Sequence, residues 1–154
     1  MQCALCLKNK PLMSSHLLPA SIYKKIKTYD GTSSKILSIT DDAAVYSDLQ
    51  IQKLLLCHDC EELLNTSGEK QVCKDLARSE NEFQLLSWFR NEKQQCIYAS
   101  PENNEYNSFQ YLYFALSVFW RASVTSWKNN YSFCEGLMGA EERIRQYLLT
   151  QKMQ

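Results

Sequence analysis

The sequence predicts an α+β protein in which a small cysteine-rich N-terminal part precedes a mainly helical C-terminal half. Three observations predict this class: two Cys-x-x-Cys pairs lie 50 residues apart, short β-branched or alternating runs separate them, and helical periodicity begins near residue 61. At 154 residues the chain has the length of one domain. We therefore expect a single domain at 1–154, with a cysteine-containing part at 1–70 and a helical part at 71–154.

The composition narrows the class of protein. Apolar residues make up 45% and charged residues 22% of the chain, which excludes chain-wide disorder, collagen and coiled coil. Basic and acidic residues number 17 each, so no bulk positive field indicates a nucleic-acid partner. The charge is biased locally, because residues 1–35 hold six lysines and one acid, Asp30.

Two strands are predicted between the cysteine pairs. Residues 35–40 and residues 49–56 have the β-branched or alternating content of strands. We expect these two runs to pair with each other in an irregular hairpin.

Helical segments follow the second cysteine pair. Residues 61–95 have helical character, and a capping box at residues 79–82 precedes apolar side chains at helical spacing. Those side chains are Phe83, Leu86 and Phe89 or Arg90. Residues 96–107 contain Ser100-Pro101 and a polar run, which predicts a loop.

The last part of the chain predicts two further helices. Apolar residues recur at i, i+3, i+4 and i+7 over residues 109–120 and also occupy the other face, so we expect this helix to be central. The run is interrupted by Gln110, Ser117 and Arg121, whereas crossing a bilayer needs about 20 apolar residues, so no membrane association is expected. Residues 141–152 predict a closing amphipathic helix with acids in its first turn.

The two cysteine pairs predict a metal site. Cys3 and Cys6 form one knuckle, while Cys57 and Cys60 lie where a helix begins. A knuckle, a hairpin and a helix that supplies the second pair make the treble-clef arrangement, and four thiolates give the tetrahedral ligand set of structural zinc. The long insertion closes at modest cost, because loop entropy grows only logarithmically with length.

Cysteine usage also indicates the compartment. The chain begins at Met1 without a signal peptide, so we expect a cytoplasmic protein with reduced thiols, where paired cysteines indicate metal or redox chemistry. The alternatives are four unrelated thiols, or a redox Cys-x-x-Cys, for which the βαβ context is missing. The remaining cysteines, which we expect to be small buried apolar residues, are Cys73, Cys96 and Cys134.

A histidine and a proline, His16 and Pro19, extend this pattern. The order of Cys-x-x-Cys, His-x-x-Pro and a second Cys-x-x-Cys that opens a helix resembles the zinc-bearing branch of the HNH (ββα-metal) nuclease superfamily, over residues 3–70. The resemblance implies a structural zinc opposite a catalytic divalent cation, with His16 as the general base that deprotonates the water attacking a phosphodiester. Ser15 stands where active members carry an acidic metal ligand, and Glu61 stands where they carry a histidine.

Two glutamates are the candidate ligands of that cation. Glu61 and Glu69 are two helical turns apart, and their carboxylates suit the hard ions Mg²⁺ and Mn²⁺. The alternative for both is an ordinary helix-surface carboxylate. The alternative for His16 is structural, with its ring bound to a backbone carbonyl where Pro19 starts a helix.

The chain also resembles a group of uncharacterised bacterial proteins. The shared elements are Ser-His-x-x-Pro from Ser15, Leu-Cys-x-x-Cys-Glu from Leu56, Gly-Glu from Gly68, and a helical signature over residues 114–123. This resemblance spans most of the chain and implies no particular activity.

The basic side chains of two segments each have two interpretations. An unpaired buried charge is costly, so Arg121 is expected to pair with Glu61, Glu69 or another helical carboxylate, with phosphate as the alternative partner. A short basic run is expected either to contact phosphates of a nucleic acid or to form a solvated helix face. Its members are Lys24, Lys25 and Lys27.

The leading functional hypothesis is a metal-dependent, HNH-like endonuclease that hydrolyses phosphodiester bonds of DNA or RNA. In it, His16 is the general base, Glu61 and Glu69 hold Mg²⁺ or Mn²⁺, and the lysines contact phosphates. The alternative is a non-catalytic, zinc-stabilised binding module for a nucleic acid, or for a protein bound by the helical half. By analogy of fold alone, either suits a bacterial defence or toxin system.

Overall fold

A computed structural model of the chain describes residues 1–28, 36–39, 44–47, 50–76, 89–92, 96–99, 107–127, 137 and 139–150. The described residues form the predicted α+β fold, with antiparallel strand pairs, helices and a mainly helical C-terminal half. The strands are β1 (Leu12–His16), β2 (Ile36–Ile39), β3 (Ala44–Ser47), β4 (Gln52–Cys57), β5 (Phe89–Glu92) and β6 (Cys96–Ala99). The helices are α1 (Ala20–Thr28), α2 (His58–Leu64), α3 (Lys70–Leu76), α4 (Ser108–Ser123) and α5 (Glu141–Thr150), with a π-helical turn at Asn65–Glu69 between α2 and α3.

Strands β1 and β4 form the sheet that leads into helix α2. They pair antiparallel from Leu12 opposite Cys57 to His16 opposite Gln52, with an irregularity after Met13. A bulge of this kind adds a residue to one strand and bends it. The peptide of Leu55, which the register skips, turns to the N-terminal segment, where its carbonyl accepts a hydrogen bond from the backbone N–H of Ala4 at 3.1 Å.

The strand predictions are confirmed in position and wrong in pairing. The run at 35–40 contains β2 and the run at 49–56 largely coincides with β4. However, β2 pairs with β3, and β4 pairs with β1. Strand β1 was not predicted, because its Leu-Met-Ser-Ser-His segment has weak strand propensity. Its pairing is stabilised by the buried hydroxyl of Ser15, which accepts the backbone N–H of Leu56 at 3.1 Å.

The helix predicted over 61–95 is confirmed as far as residue 76 and is wrong at its end. Residues 79–82, Phe83 and Leu86 lie outside the described residues. Phe89 and Arg90 belong to strand β5, which pairs with β6, so the loop predicted over 96–107 is also wrong at its start. The physical reason is strand propensity: the hairpin places Phe89 and the Ile-Tyr dipeptide of β6 in an antiparallel ladder.

Helix α4 is confirmed, but it is not buried on every side. The side chain of Asn107 caps it by accepting the backbone N–H of Phe109 at 3.1 Å. Its buried face carries Tyr113, Ser117, Trp120 and Arg121, whereas Phe109, Leu112 and Phe119 are exposed. The helix contributes to the core, as predicted, but its outer apolar face is exposed, because apolar periodicity does not reveal which face is covered.

One apolar core joins the two halves of the chain. Leu5, Leu56 and Leu64 from the cysteine-containing part pack in the same cluster as Trp120 and Leu148 from the helical half, and all five side chains are fully buried. Burial of such a side chain contributes about 1.5–3 kcal/mol each. Within the described residues, every helix falls short of the length and apolarity that a bilayer crossing requires.

Candidate metal centre and adjoining cavity

The four predicted cysteine ligands come together in space. The sulfurs of Cys3, Cys6, Cys57 and Cys60 all lie within 4.8 Å of one another, and Cys6 Sγ is 3.9 Å from Cys57 Sγ. Ideal tetrahedral zinc, with Zn–S near 2.3 Å, places its sulfurs about 3.8 Å apart. The four cysteines are therefore positioned to bind a metal ion, and the ligand set is the one that structural zinc prefers.

The first pair lies on a knuckle that closes on itself. The backbone N–H of Cys3 donates to Lys8 O at 3.0 Å, and the N–H of Leu7 donates to Cys3 O at 2.9 Å. Leu7 has a φ of 60°, in the left-handed region that side chains rarely adopt. This backbone turn brings Cys3 and Cys6 to the same side of the knuckle.

The second pair lies at the junction of strand β4 and helix α2. Cys57 is the N-cap residue of α2, and Cys60 lies in its first turn. The backbone N–H of Cys57 donates to the sulfur of Cys3 at 3.3 Å. Strand and helix thereby direct both sulfurs toward the knuckle.

The thiols differ in acidity when no metal is bound. Burial by itself would raise the pKa of Cys3, but backbone N–H groups, chiefly those of Cys6 and Cys57, lower it to about 7. Burial raises the pKa of Cys57 and of Cys60. Metal binding at neutral pH must therefore displace protons from the buried thiols.

The opposite face of helix α2 lines a cavity of about 440 Å³. The residues around it are His16, Pro19, Ala20, His58, Glu61, Glu62, Asn65, Glu69 and Arg121. The structure thus brings together His16, Glu61 and Glu69, the three predicted residues of the catalytic hypothesis. Both histidines of the chain line this cavity.

A π-helical turn aligns the two candidate carboxylates. Eight residues advance an α-helix by about 2.2 turns, which would rotate Glu69 away from Glu61. The turn at Asn65–Glu69 replaces one α-turn with an i→i+5 turn, closed by the backbone N–H of Lys70 donating to Asn65 O. The extra residue brings Glu69 back to the face that carries Glu61, and turns of this type often occur at functional sites.

Gly68 allows this turn to approach helix α4 closely. A Cβ at this position would lie 3.1 Å from Gln110 O, 3.1 Å from Phe114 N and 3.2 Å from Tyr113 Cδ1. Two of these atoms belong to the backbone and cannot move aside cheaply. The Gly-Glu motif therefore combines close packing at Gly68 with a cavity carboxylate at Glu69.

Arg121 ties three elements together behind the cavity. Its side chain is 1% exposed and forms an ion pair with Glu69, which confirms the predicted pairing. Its Nη1 donates to the backbone carbonyl of His16 at 3.1 Å, while its Nε donates to the carbonyl of Ser117 and its Nη2 also contacts the hydroxyl of Ser117. Within the described residues these contacts engage all three guanidinium nitrogens, which favours the structural pairing over phosphate binding.

Burial and mutual repulsion disfavour the charged forms of the carboxylates in the cavity. Burial raises the pKa of Glu69, the guanidinium of Arg121 opposes this shift, and the charge of Glu61 adds to it. Among the described residues, Glu61 Oε1 is buried and has no hydrogen-bond partner. A buried carboxylate oxygen without a partner is costly, and a bound cation would satisfy it.

The imidazole of His16 is half-buried beside Tyr23, with ring centroids 6.2 Å apart. Strand β1 ends at His16, and the next residue continues the pairing through a hydrogen bond from Leu17 N to Ile51 O at 2.9 Å. Backbone contacts on both sides therefore hold His16 at the edge of the cavity.

Two predicted features lie away from the cavity. The hydroxyl of Ser15 is buried in the sheet and does not line the cavity. Lys24 is exposed on α1 and also does not line it, while the side chains of Lys25 and Lys27 lie outside the described residues.

Sequence reasoning did not assign three polar residues of the cavity to the candidate site, namely His58, Glu62 and Asn65. A signal was present, because His58, Glu61, Glu62 and Asn65 follow helical spacing on one face, while Cys57, Cys60 and Leu64 occupy the other. Helix α2 therefore connects the metal centre on one side with the cavity on the other. Comparison of the chain with protein-family models, curated proteins and solved structures found no match.

Proposed function

We propose that the chain is an HNH-like, metal-dependent endonuclease that hydrolyses phosphodiester bonds of DNA or RNA. The observation that carries the proposal is the cavity between strand β1 and helix α2, which His16, Glu61 and Glu69 share. A strand pair followed by a helix, with a four-cysteine centre on the other face of that helix, supports the resemblance to the ββα-metal nucleases.

His16 is the general base in this proposal. Its imidazole accepts a proton from a water molecule in the cavity, and the water oxygen forms a bond to phosphorus while the bond to the leaving oxygen breaks. The leaving oxygen then takes a proton from solvent. Arg121 acts as a positioning residue, because it holds the His16 carbonyl and the Glu69 carboxylate in one hydrogen-bonded unit.

Glu61 and Glu69 are the proposed ligands of Mg²⁺ or Mn²⁺. Such a cation supplies charge neutralisation for the phosphate and for the leaving oxygen. In the described part of the chain, only the four cysteines form a close group of three or more metal-ligating side chains. A cation in the cavity would therefore keep several water ligands, as Mg²⁺ commonly does.

The negative charge of the cavity indicates that a metal cation must bind before a phosphodiester substrate can. Glu61, Glu62 and Glu69 surround it and would repel a phosphodiester in the absence of metal. Helix α1 begins at the cavity edge with Ala20 and carries the basic run from Lys24 onward, which suits contacts with a polyanion.

The test is cleavage of plasmid DNA, single-stranded DNA and RNA by the metal-loaded protein, with Mg²⁺ or Mn²⁺ added. We expect cleavage by the wild type, a loss of at least about 100-fold in His16→Ala, since a general base contributes at least that much, and retention in Lys70→Ala, which alters an exposed residue of α3. Equal cleavage by wild type and His16→Ala, or no cleavage by the wild type on any substrate, would overturn the proposal.

A second candidate function is a non-catalytic binding module for a protein partner. The observation that favours it is the apolar stripe of helix α4, where Phe109 is 74%, Leu112 is 49% and Phe119 is 53% exposed. Aromatic and aliphatic side chains of this kind commonly anchor protein interfaces. Absence of cleavage together with specific partner binding that is lost in Phe109→Ser would support this function over the first.

A further inference from the structure

A buried arginine of the C-terminal helix contacts the metal-binding knuckle. Arg145 lies in helix α5 and is 9% exposed. Its Nη1 donates to the backbone carbonyl of Leu5 at 2.6 Å, across 140 residues of sequence. Leu5 stands between Cys3 and Cys6, so this hydrogen bond holds the peptide that joins two of the four ligands.

The guanidinium is held in a fixed orientation from the other side. Arg145 Nε donates to Glu142 Oε2 at 2.7 Å, and Arg145 Nη2 donates to Glu142 Oε1 at 2.6 Å. Gln146 also donates to Glu142, at 2.8 Å. This forked contact occupies one edge of the guanidinium and directs the remaining Nη1 group at Leu5.

The metal centre needs positive charge near it. A zinc ion with four thiolates carries a net charge of about −2, which is unfavourable where the sulfurs are buried. The hydrogen bond to Leu5 O places the Arg145 guanidinium beside the knuckle that carries Cys3 and Cys6, so its positive charge lies near their thiolates. Lys10, which pairs with Asp59 beside Cys60, is more exposed and less able to offset the charge.

We propose that Arg145 is an outer-sphere residue of the four-cysteine centre, which positions the knuckle peptide and offsets the thiolate charge, and thereby links docking of helix α5 to metal retention. Groups that hydrogen-bond around metal ligands commonly change metal affinity by about 10–100-fold when they are removed. Helix α5 keeps independent anchors, because Leu148 is fully buried and its carbonyl accepts the hydroxyl of Tyr113 at 2.7 Å. Removal of the guanidinium should therefore loosen the metal without undocking the helix.

The test measures release of zinc from the full-length protein to a chromophoric chelator at fixed pH. We expect Arg145→Met to release zinc about 10–100-fold faster than the wild type, and Arg145→Lys to show an intermediate rate because it keeps the charge without the fork. The matched control is Arg143→Ala, which removes the same charge from an exposed position of the same helix. Arg145→Lys carries the test if Arg145→Met fails to fold.

A spectroscopic readout separates this role from a purely structural one. In the Co²⁺-substituted protein, we expect the sulfur-to-cobalt charge-transfer bands to shift in the Arg145 variants and to remain in place in Arg143→Ala. Release at the wild-type rate with unshifted bands in the Arg145 variants would overturn the proposal. Equal acceleration by Arg143→Ala would also overturn it, because only net charge would then matter.

Discussion

Arg121 and Glu69 form a buried ion pair that joins helix α4 to the carboxylate side of the cavity. The arginine side chain is 1% exposed and the glutamate side chain 12%. The same guanidinium donates to the carbonyl of His16, so one residue of the helical half contacts both sides of the candidate site. The helical half therefore contributes to the geometry of the cavity as well as to the core.

Breaking this pair is expected to destabilise the protein strongly. Arg121→Met leaves the carboxylate of Glu69 buried without a counter-charge, and loss of one partner of a buried pair costs about 3–5 kcal/mol. Urea unfolding measures the change in the free energy of unfolding. The double variant Arg121→Met/Glu69→Leu should lose less than the sum of the single variants, and an additive result would show that the two side chains do not interact.

Gly68→Ala is expected to disturb the cavity through packing. The added methyl group would press on backbone atoms of α4, and overpacking of this kind costs about 1–3 kcal/mol. The matched variant is Gly139→Ala, which meets no atom within 4 Å but strains a φ of +79°. Both variants should melt at lower temperature, and only Gly68→Ala should weaken binding of Mn²⁺ in the cavity. Identical Mn²⁺ binding in both variants would contradict the proposed role of the π-helical turn.

The metal ligands were predictable from sequence because the two-residue spacing within each pair fixes how its sulfurs can meet. Helix α4 was predictable because sixteen residues carry a consistent period. The pairing of β1 with β4 was not, because it depends on contacts between Ser15 and Leu56 that are 41 residues apart. Glu61 and Glu69 were expected to share a face after two α-helical turns, but eight residues of α-helix exceed two turns by about 80°. The π-helical turn, which the sequence does not reveal, supplies the alignment.

Loss of a cysteine ligand is expected to unfold the cysteine-containing part. Structural zinc contributes about 10–16 kcal/mol to folding in small metal-dependent domains, so Cys57→Ser or treatment with a chelator should abolish cooperative melting. Cys73→Ser serves as the control, because Cys73 lies outside the four-cysteine group. Circular dichroism and elemental analysis measure the outcome, with one metal ion per chain expected in the wild type. An unchanged melting curve after metal removal would contradict a structural role for the site.

Metal binding should release more protons at pH 6 than at pH 8. Cys3 has a pKa of about 7, so it is already ionised at pH 8 but protonated at pH 6. Burial raises the pKa of Cys57 and Cys60, so both carry protons at either pH. Protons compete with the metal, and the apparent affinity must therefore fall as the pH falls. Calorimetry in buffers of different ionisation enthalpy counts the protons, and equal release at the two pH values would assign a different acidity to Cys3.

Glu61 provides the sharpest test of a cation in the cavity. Its buried Oε1 has no hydrogen-bond partner among the described residues, so the carboxylate destabilises the cation-free protein. Glu61→Gln should match or exceed the wild type in melting temperature when divalent cations are absent. A ligand at 100 times its Kd stabilises by about 2.7 kcal/mol, so added Mn²⁺ should raise the melting temperature of the wild type and leave that of Glu61→Gln unchanged. Glu141→Gln, in helix α5 and away from the cavity, should respond as the wild type does. If Mn²⁺ stabilised all three proteins equally, the cation would bind elsewhere and Glu61 would be a packing residue.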